Sequence, residues 1–81
     1  MRMQANMNMN RHKEIIRELR SLVASFPLDE VFHGQLIQAL AHSGRRGDAL
    51  RAYQDVREIL QEELGLDPFP DLQRLQRLIL T

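Results

Sequence analysis

Apolar residues along this chain return every three or four positions, and Pro and Gly break the rhythm at its joints. Ile15, Leu19, Leu22 and Phe26 recur at intervals of four, three and four, with Ile16 and Val23 beside them. This is a helical period and not the alternation of a strand. It predicts a first helix from about Arg11 to Ser25, capped by Asn10. Pro27 stops it, because proline biases the residue before it away from the α region. A second helix is expected from Asp29 to Ser43. Phe32, Leu36, Ala39 and Leu40 form its stripe, widened by Val31, Ile37 and Ala41. A face that broad implies contacts on two sides, as in the middle helix of a stack. Asp29 can cap this helix, Glu30 suits the positive end of its dipole, and Gly44 ends it by a left-handed turn.

The third helix is expected from Arg46 or Asp48 to Leu64, with Asp48 as candidate cap. Ala49, Tyr53, Val56, Leu60 and Leu64 line one face, with Ala52 and Ile59 alongside. Gly65 ends it. Leu66 to Pro70 reads as a rigid linker, and Pro70 suits the first turn of a fourth helix running to Leu80. Leu72, Leu75 and Ile79 share one face of that helix, widened by Leu78 and Leu80. Four helices joined by short turns pack as antiparallel neighbours, so the expected fold class is all-α.

Residues 1–10 stand apart in composition. Methionines occupy positions 1, 3, 7 and 9, with Asn6, Asn8 and Asn10 between or beside them. This predicts a flexible Met/Asn-rich tail ahead of a helical domain over residues 11–81, with alternative start codons or an expression remnant as its origin. Two sharper readings are a thioether-rich arm that packs on apolar grooves and a copper(I) ligand set. The second lacks any cysteine to support it.

Eighty-one residues make one small domain. A chain of this size buries about 60–65% of its unfolded surface and is marginally stable alone. Cysteine is absent, which excludes disulfides and thiolate zinc sites and leaves helix packing or self-association. Eleven basic residues balance eleven acidic ones. Nucleic-acid modules carry a basic excess, so direct nucleic-acid binding is disfavoured. No apolar run reaches the ~18 residues of a membrane span, and no apolar core follows Arg2 to make a secretory signal. A cytoplasmic location without membrane contact is expected.

Catalytic chemistry finds no residues. His12, His33 and His42 lie at no spacing that brings two ligands to one helix face. Gly44-x-x-Gly47 is too short for a phosphate loop and lacks the following Lys. Glu58, Glu62 and Glu63 read as a solvated helix face. Arg45, Arg46, Arg51 and Arg57 could form a patch for an acidic partner, but Asp48, Asp55 and Glu58 interrupt them and neutralise the local field. No enzyme activity, cofactor or metal is expected.

Gly44, Ala49 five residues on and Tyr53 four further resemble the second-helix half of a tetratricopeptide repeat. A small Ala lets two helices approach closely, and the aromatic fills the gap one turn along. Leu36 and Leu40 then fall at first-helix positions, and Pro27 at the proline ending a preceding half-repeat. The usual first-helix Trp is absent, and Ile37 stands where repeats carry a small residue. The longer run from His12 to Leu80 is more specific. Leu19-Arg20-x-Leu22-Val23-Ala24-x-Phe26-Pro27-Leu28, Ala49-Leu50-x-Ala52-Tyr53 and Glu63-Leu64-Gly65-Leu66-Asp67-Pro68-x-Pro70 resemble the bacterial transcriptional activator domain. That domain is the tetratricopeptide-like half of Streptomyces antibiotic regulatory proteins.

The resemblance implies a tetratricopeptide-like antiparallel array of about four helices with a role in oligomerisation and regulatory contacts. In that family a winged-helix DNA-binding domain precedes the array. Neither it nor roughly the first half of the activator domain lies within these 81 residues, so DNA binding does not carry over. Leu36, Leu40, Ala49, Tyr53, Val56, Leu60 and Leu64 are expected to form the core. Ile15, Ile16, Leu19 and Val23 on the first helix are expected to be left uncovered at one end of the stack. Leu75, Leu78, Ile79 and Leu80 are expected to be uncovered at the other. Helical arrays need polar caps at their ends, and a twofold dimer pairing the open faces would supply the cover. Docking onto a larger regulator or a biosynthetic enzyme, as an adaptor, is the alternative.

Overall fold

Helix α2 (Glu30–His42) packs against all three others: α1 (Arg2–Ser25), α3 (Arg46–Leu64) and α4 (Pro70–Leu80). The computed structural model of the chain describes the backbone of residues 2–81 and the side chains of residues 11–81. Among the described residues every regular element is an α-helix. α1 and α3 both pack on α2 with their backbones apart, and α4 packs on both α2 and α3.

Local chemistry sets the joints. The Asp29 carboxylate accepts a hydrogen bond from the Val31 N–H at 3.0 Å and caps α2. At its other end Gly44 takes φ 78°. The Arg45 N–H then reaches the Leu40 carbonyl at 2.8 Å, and the Gly44 N–H reaches Ala41 at 3.1 Å. These bonds make a Schellman turn, which an L side chain at Gly44 would strain. Gly65, with φ 65°, ends α3 in the same left-handed region. Pro70 opens α4, where a missing N–H costs nothing. The linker between them is tied down on both sides. Gln61 Nε2 donates to Asp67 Oδ1 at 2.7 Å, and Gln73 Nε2 donates to the Pro68 carbonyl at 2.8 Å.

Ile37, Leu40, Ala49 and Val56 are completely shielded from water. Leu36, Tyr53 and Leu60 are buried with them, and Ala52 and Leu72 join the same core. Phe32 is half-buried and stacks obliquely on Phe26 with ring centroids 5.9 Å apart. The buried His33 lies with Nε2 2.8 Å from the Pro27 carbonyl. A carbonyl only accepts, so this nitrogen carries the proton. The bond pins the α1–α2 turn to the core.

Three expectations need correction. The first helix begins at Arg2 and not near Arg11, so Asn10 is inside it and caps nothing. Residues 2–10 contain neither Pro nor Gly, and Met, Gln, Ala and Arg are good helix formers. The readings of the four methionines fall on side chains outside the described residues. Asp48 is also no cap. It sits in the first turn of α3 and pairs with Arg45 at 2.9 Å, where its charge favours the positive end of the helix. Leu64 is 51% exposed and outside the core. α3 has 19 residues against 13 in α2, so its last turn overhangs the helix it packs on.

Leu40→Ala should therefore lower the unfolding free energy by about 2–5 kcal/mol. Leu64→Ala should change it by less than about 1 kcal/mol. Urea denaturation followed by helical circular dichroism measures both, and equal losses would contradict this placement of the core.

Candidate protein-interaction surface

The exposed strip of α2 carries Val31, Gln35 and Gln38, one helical turn apart. Hollows open on both sides of it. One, of about 260 Å³, lies towards α4 and is lined by Glu30, Val31, Gly34, Phe69, Leu72 and Leu75. The other, of about 360 Å³, lies towards α1 and is lined by His12, Ile15, Leu19, Ala39 and His42. Gln35 and Gln38 border both and stand as an exposed divide between them, and the two hollows together make a trough across α2. Its rims are apolar and wet: Ile15 is 40% exposed, Phe69 63% and Val31 66%. The divide offers two exposed amides, each able to donate and accept hydrogen bonds to a peptide backbone.

The α4 rim is positioned by two contacts. Gly34 lets α4 come close, since a Cβ there would stand 3.1 Å from a Leu72 methyl. The Phe69 N–H donates to the Glu30 carboxylate at 2.7 Å, which fixes the linker and its exposed ring beside the first turn of α2. At the far end of α4, Arg46 Nε donates to the Ile79 carbonyl at 2.6 Å.

The interaction residues expected from the sequence divide four ways. Ile15, Leu19 and Leu75 come together on the trough, although only the flank of Leu19 reaches it, because the residue is buried on α2. Ile16 and Ile79 are buried in the chain's own core, so a packing role replaces the contact role expected for them. Val23 faces away, into a cleft between α1 and α3. Leu78 and Leu80 stay exposed on α4. Gln35, Gln38 and Phe69 were not anticipated. The Val31-Gln35-Gln38 spacing on one face of α2 was the available signal.

The candidate basic patch disperses. Arg45 is paired with Asp48, Arg46 is held by Ile79, and Arg51 stands among the acids of the α1–α3 cleft. Among the described residues no three His, Cys, Asp or Glu side chains gather to hold a metal ion. No helix there is long and apolar enough to cross a membrane.

Glu30→Ala should release the Phe69 amide and speed its hydrogen exchange about fivefold, the equivalent of about 1 kcal/mol. Glu30→Gln keeps an acceptor and should recover most of the protection. Amide exchange by NMR reads both, and unchanged protection in Glu30→Ala would deny the contact its positioning role.

Comparison with known proteins gives consistent matches. The family model of the bacterial transcriptional activator domain matches residues 1–80. The regulatory protein AfsR of Streptomyces coelicolor is 43% identical over 79 residues, 98% of this chain and 8% of AfsR. The regulatory protein DnrI of Streptomyces peucetius is 39% identical over 79 residues, 98% of this chain and 29% of DnrI. A solved structure of Mycobacterium tuberculosis EmbR in complex with a low-affinity phosphopeptide superimposes with a TM-score of 0.84 at 39% identity. The match covers 94% of this chain and 20% of EmbR. The chain thus spans less than a third of the length of each of these relatives.

Proposed function

The chain belongs to the bacterial transcriptional activator domain family, and from that premise we propose that it is a non-catalytic protein–protein interaction and oligomerisation module of a transcriptional regulator. The observation that carries the reading is the trough across α2. Ile15, Val31 and Phe69 keep large apolar surfaces in water around Gln35 and Gln38. Each 100 Å² of such surface covered by a partner is worth about 2.5 kcal/mol before the costs of association. The occupant proposed here is a second copy of the chain, paired about a twofold axis so that each trough rim serves twice.

The relatives support the regulatory setting, since AfsR, DnrI and EmbR are regulatory proteins by name. That EmbR has been captured with a phosphopeptide supports protein partners for the group. The proposed location is the cytoplasm, where a bacterial transcriptional regulator works. Promoter contact is assigned to other parts of such regulators, because this chain has a net charge of 0 and its arginines are dispersed. A larger regulator or a biosynthetic enzyme docking on the same trough is the alternative, favoured by the backbone-binding potential of the paired glutamines.

Sedimentation equilibrium of the 81-residue chain at tens of micromolar should show a dimer. Val31→Glu with Ile15→Glu should convert it to a monomer with unchanged helical circular dichroism, because both side chains are exposed. A monomeric parent chain would overturn the self-association reading. A dimer indifferent to the two glutamates would place the interface elsewhere.

A further inference from the structure

The second groove of the molecule lies on the opposite flank of α1. α1 and α3 both pack on α2 with their backbones apart. The space between them is a cleft of about 440 Å³, floored by Val23, Leu36, Ala52 and Ile59. Its α3 wall carries Asp48, Asp55, Glu58 and Glu62, with Arg51 among them, and its α1 wall carries Arg20. Asp48 is engaged by Arg45. Among the described residues no ion pair forms at Asp55, Glu58 or Glu62.

We propose that this cleft seats an amphipathic α-helix of another protein, with lysines or arginines along the flank that meets Asp55, Glu58 and Glu62. Three observations carry the proposal. Two helices held apart on a common floor form the groove into which the ridge of a further helix packs. The wall's charge is complementary to a cationic flank, while Arg20 opposite meets the partner's uncharged or acidic flank. The carboxylates also recur at helical register: 48, 55 and 62 are seven residues apart, with 58 between. Seven residues advance a helix by roughly 10.5 Å, so a partner helix lying along α3 repeats its cations in step. An extended strand advances about 3.3 Å per residue and turns alternate side chains away, so it falls out of step.

The α1 helix of a second copy is a poor occupant of the cleft. It already spends Ile16 and Leu19 on its own core. It presents Arg17 and Glu18 outward. The proposal rests on reading the chain as a protein-binding module but uses a different face from the trough.

The test uses the full 81-residue chain and a fluorescein-labelled helical peptide of about fifteen residues. The peptide has Leu and Ala on its floor-facing side and Lys along one flank. Controls replace every Lys by Glu, or every Leu by Ser. The Lys peptide should bind at least tenfold more tightly than either control at low salt, and should weaken as salt rises. Asp55→Asn/Glu58→Gln/Glu62→Gln, all at exposed positions, should erase the preference without loss of helical circular dichroism. Equal binding to the triple variant overturns the proposal, as does equal binding of the Ser peptide or no binding at all. A change in the chain's own sedimentation caused by the triple variant also overturns it, since the cleft would then belong to a second copy. Val31→Glu should leave peptide binding intact, which separates failure of this proposal from failure of the trough dimer.

Discussion

The structure depends on α2 having neighbours on three sides. A helix of 13 residues is marginal in water by itself, and Ile37 and Leu40 reach full burial only within the packed array. Everything else is arranged to hold those neighbours in place. The His33–Pro27 bond fixes the entry of α2, the Gly44 turn fixes its exit, and Gly34 gives up a side chain so that α4 can approach. Glycine inside a helix costs about 1 kcal/mol relative to alanine. The close seating of Leu72 offsets that cost.

Crowding α2 in this way creates the surface as well as the core. Three helices around one cannot close the circle at the usual 8–10 Å spacing, so two grooves remain, one on each side of α1. Their chemistry differs because different sequences border them. The trough sets Ile15, Val31 and Phe69 beside glutamines, while the cleft sets carboxylates beside Val23, Leu36, Ala52 and Ile59. A net charge of 0 conceals this separation. α1 carries five cations against two acids, and α3 carries three against five.

Most of the fold was legible in the sequence because helix ends are local chemistry. Asp29, Gly44, Gly65 and Pro70 each mark a boundary through their own backbone or side-chain preference, and the structure uses all four. The start of α1 was not legible. The Met/Asn segment differs in composition from the rest, but composition does not terminate a helix unless it includes Pro or Gly. The family match beginning at residue 1 agrees with a domain that includes this segment.

The site was half legible, for a geometric reason. Periodicity identifies an apolar stripe but not which flank of the stripe faces inward. Ile15 and Ile16 are adjacent in sequence, and one is 40% exposed while the other is 4%. The hundred-degree step between them becomes decisive only when the crossing of α1 over α2 is known. Leu64 fails for a related reason, since its position on the face is right but its height lies beyond the end of α2. The acidic row of α3 was visible as residues and discounted as solvated surface. What gives it meaning is the separation of α1 from α3, a property of two helices whose backbones stay apart. No pattern within either helix encodes that gap. It follows from the packing of both helices on α2, which holds their backbones apart.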